Sequence, residues 1–354
     1  MSIQKIGFYG VLLAITIVAP FLFPNYSTQL ATLWLFIIVS MTWDMTGGQM
    51  GYNSLGNIFF YGTGMYVAAV ISIGLVYDVG EYTGAAGGGK YDFTNEQYII
   101  GFILGSLGAG VFCAISAFVL GYVLFGLRGP YFAIGTLGTA IAAGELVSNW
   151  DWVGGGQGIT LPVYGGDFEQ TKLFIYFAFA VTGIALFVFL KWLYQTRFGA
   201  AMNAIRDDEE KAEAMGIHTM RYKLVAWAMS AFFIGVVGGI SAFQLISFEP
   251  LESAYQTINL GIFMVVCVLL GGKGTLWGPI IGAIAFQVFK EVTWNYFLGW
   301  QWVALGALIV VTVVYFQDGL MGWLRHTRPE WFGLTVEEKD SEGRGTYKVE
   351  ATTQ

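Results

Sequence analysis

Long apolar stretches recur along the chain, separated by short polar segments. Because an α-helix rises about 1.5 Å per residue, stretches of this kind are long enough to cross roughly 30 Å of hydrocarbon. The pattern predicts about ten transmembrane helices, at residues 6–23, 30–46, 54–76, 97–126, 130–149, 173–194, 224–247, 256–270, 277–293 and 300–316. The expected fold class is therefore all-α, a polytopic helical membrane protein.

The charged residues decide which ends of these helices face the cytoplasm. The one strongly charged interval between apolar stretches is 197–227, which carries five basic residues. Since cytoplasmic loops of membrane proteins are rich in Lys and Arg, this interval is expected to be cytoplasmic. Alternation then places both termini inside and the loops near 77–96 and 150–172 outside. All but three of the 17 Lys and Arg residues fall on the inner side, the exceptions being Lys90, Lys172 and Lys290.

The composition supports a membrane domain and little else. Hydrophobic residues make up 56% of the chain and charged residues only 12%, about half the share in a soluble domain. We expect one transmembrane domain at 1–324, with a cytoplasmic loop at about 195–223. The polar tail 325–354 has too few apolar residues to offset the entropy of ordering and is predicted to be disordered. The net charge of −7 makes nucleic acid an improbable partner.

Glycine has two predicted roles. Pairs in small-xxx-small spacing, Gly101/Gly105, Gly235/Gly239 and Gly278/Gly282, are typical of helices that approach closely in lipid. Two further glycine-rich segments, 47–56 and 271–279, each follow a rather short apolar span. They are either plain turns or interrupted spans that line a transport pathway.

Catalytic and cofactor motifs are scarce. The two histidines, His218 and His326, lie far apart, and no Ser-His or Cys-His pair or metal cluster is apparent. The segment GAAGGGKY at 84–91 matches the G-x4-G-K spacing of a phosphate-binding loop. However, Tyr91 stands where Ser or Thr should bind Mg²⁺, and the segment lies in a predicted outer loop. We predict that the chain is not an enzyme and binds no nucleotide or cofactor of its own.

The middle of the charged loop has the pattern of a short capped helix. Asp207 or Asp208 can cap its N-terminus, and Gly216 suits the left-handed position after its C-terminus. Ala212 and Met215 lie three residues apart, which predicts a small apolar face framed by Glu209 and Glu213. Such a helix is either a solvated loop element or a coupling helix that docks in a groove of a nucleotide-binding subunit.

Four ordered blocks resemble the LivM-type permeases of branched-chain amino acid ABC importers. The blocks are WDMTGGQMGYNSLG at 43–56, RGPYFAIGTL at 128–137 with GGGQG at 154–158, AIRDDEEKAEAMGI at 204–217, and LGGKGTLWGP at 270–279. Together they cover about 40–320. The resemblance implies a location in the prokaryotic cytoplasmic membrane. It also implies partnership with a LivH-type permease, two cytoplasmic ATPases that bind ATP and Mg²⁺, and an extracytoplasmic solute-binding protein.

The resemblance also implies which residues couple the permease to the ATPases. Glu213, Ala214 and Gly216 match the short coupling motif of the family. Together with the helix pattern, this makes the predicted coupling residues Arg206, Asp207, Asp208, Glu209, Ala212, Glu213, Ala214, Met215 and Gly216.

The solute is expected to be a branched-chain amino acid or a similar small polar molecule. Importers of urea and short amides share the scaffold, and Asn57, where many relatives carry His, leaves that alternative open. Polar residues within spans are costly in lipid and often face a cavity. The candidates for a pathway are therefore Asp44, Asn57, Glu145, Asn149 and Asn259, each with a helix-capping or interfacial role as the alternative. An ion-coupled carrier or channel is the rival class, and it would require buried charge relays.

Overall fold

The computed structural model describes residues 3–85, 91–165, 168–297, 299–315, 319–327, 334–336 and 347–349. The helices are α1 (Ile3–Leu22), α2 (Ser27–Gly47), α3 (Asn57–Gly74), α4 (Val79–Gly84), α5 (Asn95–Leu124), α6 (Pro130–Ser148), α7 (Phe168–Tyr194), α8 (Arg197–Asp207), α9 (Glu209–Ala214), α10 (Thr219–Leu245), α11 (Phe263–Gly271), α12 (Gly278–Tyr296), α13 (Gln301–Tyr315) and α14 (Gly319–Thr327). Short 3₁₀ turns lie at Pro24–Tyr26, Asp151–Val153 and Gly155–Gln157, and π-helical turns at Pro250–Ala254 and Thr257–Ile262. The strands are β1 (Ile159–Thr160), β2 (Ser247–Phe248), β3 (Leu334–Val336) and β4 (Tyr347–Val349), and they pair antiparallel as β1–β2 and β3–β4.

Each predicted span coincides with a helix, which confirms a polytopic helical membrane protein. Seven helical segments of the described residues are long and apolar enough to cross a membrane, namely Pro24–Gly47, Asn57–Gly74, Asn95–Leu124, Pro130–Ser148, Glu169–Tyr194, Thr219–Leu245 and Pro250–Gly271. The apolar helices Tyr9–Leu22 and Gln301–Thr312 are shorter. The count of ten crossings and the cytoplasmic position of both termini stay predictions.

The connecting loops contact one another in two separate groups, as alternating crossings require. In the group predicted to be outside, Thr83 donates a hydrogen bond to the carbonyl of Trp152 at 3.1 Å, and β1 pairs with β2. In the group predicted to be inside, Arg128 lies 3.4 Å from Glu210 of the charged loop. The chain order of these contacts therefore agrees with the predicted alternation.

Helix α10 lies at the centre of the bundle and packs along α5 and α3. A Cβ added at Gly105 of α5 would lie 2.8 Å from the carbonyl oxygen of Ala68 in α3, and one added at Gly239 of α10 would lie 2.8 Å from Cα of Ser106 in α5. These helices approach closely only because glycine lacks a side chain at the contact. The predicted packing role of the small-xxx-small pairs is confirmed here.

Helix α14 runs on to Thr327, past residue 324, and the predicted division of the chain at that residue stays a prediction. The predicted disorder of 325–354 stays a prediction, although β3 and β4 form a short antiparallel pair within that range. Residues 86–90 of the GAAGGGKY segment lie outside the described residues.

Candidate functional site

The charged loop, predicted to be cytoplasmic, folds as two short helices, α8 and α9, where the pattern predicted one. Thr196 caps α8 by accepting a hydrogen bond from the backbone N–H of Phe198 at 3.2 Å. The apolar side chains of Met202 and Ile205 are buried, three residues apart on one face. Helix α8 therefore lies flat against the bundle and carries the chain to α9.

Both ends of α9 are closed by the residues that the sequence indicated. Asp208 is the N-cap, and its carboxylate accepts a hydrogen bond from the backbone N–H of Lys211 at 3.0 Å. At the other end Gly216 has φ +87°, while its N–H donates to the carbonyl of Glu213 and the N–H of Ile217 donates to the carbonyl of Ala212. This pair of bonds is a Schellman motif, which needs a left-handed residue and therefore favours glycine.

The predicted apolar face of α9 is wrong in one respect. Ala212 is buried against the bundle at 3% exposure, whereas Met215 is 83% exposed. The two side chains do not share a surface, because the end of the helix turns Met215 away from the protein. Beside it lies a hollow of about 390 Å³, lined by Glu213 and residues 216–221. The exposed surface at α9 thus combines the charged residues Glu210, Lys211 and Glu213 with Ala214 and, just past the helix end, Met215.

Glu209, the first residue of α9, is bound to two residues of the bundle. Its carboxylate lies 2.6 Å from the ammonium of Lys223 in α10 and accepts a hydrogen bond from the hydroxyl of Tyr52. Lys223 also donates to the Tyr52 hydroxyl at 3.1 Å. Burial opposes ionisation of Glu209, but the hydrogen bonds from Lys223 and Tyr52 outweigh it and lower its pKa. Burial, and the hydrogen bond to that carboxylate, raise the pKa of Tyr52.

The other ion pairs of the loop are exposed. Arg128 and Glu210 have side chains 69% and 83% exposed. The pairs Lys211–Asp208 and Arg206–Asp207 each join near neighbours in sequence. Exposed pairs contribute little to stability because water already solvates both charges.

The two glycine-rich segments meet each other at the C-terminal ends of α2 and α11, on the side predicted to be cytoplasmic. The carboxylate of Asp44 accepts a hydrogen bond from the backbone N–H of Gly274 at 2.7 Å, and the Gln49 amide donates to the carbonyl of Gly274 at 2.8 Å. A Cβ on Gly51 would lie 3.2 Å from the side chain of Arg206 in α8. Both segments are therefore turns that are packed together, and the first also lies close to α8.

The predicted pathway residues do not form one cluster. Asp44 and Asn57 are buried, and neither polar atom of the Asn57 amide has a hydrogen-bond partner. Glu145, Asn149 and Asn259 are exposed on the surface of the chain. The Asn149 amide donates to the carbonyl of Glu145 at 2.8 Å, so Asn149 caps its own helix. Their roles in solute passage stay predictions.

Sequence reasoning missed Tyr52, Lys223 and helix α8. Tyr52 lies 157 residues before Glu209, and nothing in its spacing indicates that contact. The spacing of Met202 and Ile205 was a detectable signal for α8. Among the described residues, no three His, Cys, Asp or Glu side chains are grouped so that they could hold a metal ion.

The chain is similar in sequence to permease proteins of known transport systems. The family described as "Branched-chain amino acid transport system / permease component" matches residues 25–314. The high-affinity branched-chain amino acid transport system permease protein LivM of Escherichia coli (strain K12) is 30% identical over 85% of this chain and 74% of that protein. The LivM protein of Salmonella typhimurium is 28% identical, over 92% of this chain and 76% of its own length. The probable LivM protein of Methanocaldococcus jannaschii is 26% identical over 81% of this chain and 90% of its own length. No solved structure matches the chain.

Proposed function

The chain belongs to the family of permease components of branched-chain amino acid transport systems, and we propose that it is the transmembrane permease subunit of an ABC importer. It carries a branched-chain amino acid, or a similar small polar solute, into a prokaryotic cell across the cytoplasmic membrane. ATP hydrolysis in partner subunits drives the movement, and this chain has no nucleotide site or cofactor of its own.

The observation that carries this proposal is the surface of α9. A free six-residue helix would be unstable in water because nucleation costs more than so few hydrogen bonds return. Here caps close both ends, and Glu209 and Ala212 attach the helix to the bundle. The 83% exposed Met215 then projects beside the 390 Å³ hollow. An exposed apolar side chain at the end of a capped and anchored helix is suited to docking in the groove of a cytoplasmic ATPase.

The complete importer comprises this chain, a LivH-type permease, two cytoplasmic ATPases and an extracytoplasmic solute-binding protein. ATP and Mg²⁺ bind to the ATPases. Closure of the ATPases moves α9, and the attached α10 and the packed glycine-rich turns move with it. The contacts of Asp44 and Gln49 with Gly274 link the ends of α2 and α11, so the helices around the pathway shift together.

Copurification with the ATPases tests the docking role of α9. Met215→Asp places a charge where an apolar contact is expected, and Gly216→Pro cannot adopt φ +87°. Both variants are expected to lose the ATPases while the permease itself still purifies as a folded protein. Val119→Ala, on the exposed face of α5, is the control and should retain them. Retention of the ATPases by both α9 variants would contradict the docking role.

The solute is tested separately on the cognate binding protein. Calorimetry with leucine, isoleucine, valine, urea and short amides is expected to show the tightest binding for a branched-chain amino acid. If urea or an amide binds most tightly, the chain is still the permease of an importer, but its solute is that compound.

A further inference from the structure

The backbone connection between α9 and α10 is short. It consists of residues 215–218 and turns at Gly216, which has φ +87° and no other atom within 4 Å of a Cβ position. The backbone bonds of the cap hold Gly216 and Ile217 to the end of α9, but no side chain of the bundle packs over Gly216. Because the backbone joins the two helices through only four residues, side-chain contacts decide how firmly α9 is held to α10 when a partner moves it.

Side chains tie the two helices together across this turn. Glu209 at the start of α9 pairs with Lys223 in α10 at 2.6 Å, and Thr219 at the start of α10 donates to the carboxylate of Glu213 at 2.5 Å. The Lys223 and Glu209 side chains are only 5% and 17% exposed. Pulling the pair apart would leave a buried charge without a partner, which is strongly unfavourable. The pair thus resists separation far more than an exposed one.

Tyr52 extends the tie to the rest of the bundle. Its hydroxyl binds Glu209 and Lys223, and its ring lies edge-on to Phe125 and Phe132 at 5.5 and 5.3 Å. Phe125 also contacts Trp227 of α10 at 5.4 Å. The turn between α2 and α3, the end of α5 and the start of α6 therefore all meet at one point.

Resting on the proposed function, we propose that the cluster of Glu209, Lys223 and Tyr52 is the positioning element that locks α9 to α10 and to the α2–α3 turn. It converts movement of the ATPase against α9 into movement of the transmembrane helices. Without it, ATP is hydrolysed but α9 pivots at Gly216, and less solute moves for each ATP.

The test measures solute transported per ATP hydrolysed by the complete importer in proteoliposomes. Lys223→Met and Glu209→Gln are expected to lower this ratio about tenfold, within the usual range of coupling between sites, while the ATPases stay bound and active. The double variant Glu209→Lys with Lys223→Glu exchanges the two charges, and it should restore most of the solute transported per ATP. Arg128→Ala is the matched control, since Arg128 also pairs with α9 but is 69% exposed, and it should leave the ratio unchanged.

An unchanged ratio in both single variants, or no recovery in the exchanged pair, would overturn the proposal. If the Lys223 and Glu209 variants do not assemble with the ATPases, Tyr52→Phe provides the test instead. It keeps the ring and the ion pair and removes only the hydroxyl. A roughly threefold lower ratio is expected, and an unchanged one would overturn the proposal. Absence of ATP-driven transport in the unaltered importer would instead contradict the proposed function itself.

Discussion

The carboxylate of Asp44 accepts a hydrogen bond from the backbone N–H of Gly274 at 2.7 Å, across 230 positions of the sequence. This bond joins the two glycine-rich turns at the C-terminal ends of α2 and α11. Asp44 is 1% exposed, so water has little access to its carboxylate. One side chain thereby fixes the relative position of two turns that the sequence pattern could only mark as unusual.

Asp44→Leu is expected to lower the free energy of unfolding by about 1–3 kcal/mol, because it removes the hydrogen bond that the half-buried N–H of Gly274 donates to a charged acceptor. Asp44→Asn keeps an acceptor oxygen and should cost less. Thermal unfolding of the purified permease in detergent measures both. Equal stability of Asp44→Leu and the unaltered protein would show that the bond does not hold the turns together.

Gly105→Ala is expected to destabilise the bundle by about 1–3 kcal/mol, because the added Cβ would lie 2.8 Å from the carbonyl oxygen of Ala68. Gly138→Ala in α6 is the matched control, since no atom lies within 4 Å of its Cβ position. That substitution should be neutral or stabilising, as alanine favours helix. The same unfolding assay compares the two, and a neutral Gly105→Ala would contradict the close approach of α3 and α5.

Gly216→Ala is expected to loosen the C-terminal end of α9, since φ +87° costs a residue with a Cβ roughly 1–2 kcal/mol. Gly216→Asn should be milder because asparagine tolerates the left-handed region. Hydrogen exchange at the amides of Gly216 and Ile217, both bonded within the cap, reports the change. Unchanged protection in the alanine variant would argue against the cap.

The stabilisation from Glu209 is expected to be constant near neutral pH and to fall in acid. Its pKa in the folded protein lies below the ordinary value of 4.5, so the unfolded chain takes up a proton first as the pH falls. The contribution is therefore complete above about pH 4.5 and is lost as the pH falls through the folded pKa. The difference in melting temperature between the unaltered protein and Glu209→Gln should shrink over that interval. A difference that grows in acid would contradict the ionised pair.

The sequence predicted those features that arise from local pattern. The length of the apolar stretches predicted the helices. The glycine spacing predicted close packing along α5 and α10. Asp208 and Gly216 predicted the ends of α9, because capping depends on residues only a few positions away. Ala212 was misplaced because the direction of a side chain on a two-turn helix depends on what the helix packs against. Tyr52 and Lys223 were missed because their contact with Glu209 exists only after distant helices assemble.

Solute uptake by purified components tests the central claim most directly. The experiment compares two kinds of proteoliposome. One carries this permease with its partner permease, the two ATPases and the binding protein, and the other carries the two permeases alone. Radiolabelled leucine is measured on the side of the membrane away from the binding protein. We predict that leucine accumulates against its gradient only in the complete importer and only when ATP is supplied. Accumulation by the permeases alone would contradict the account.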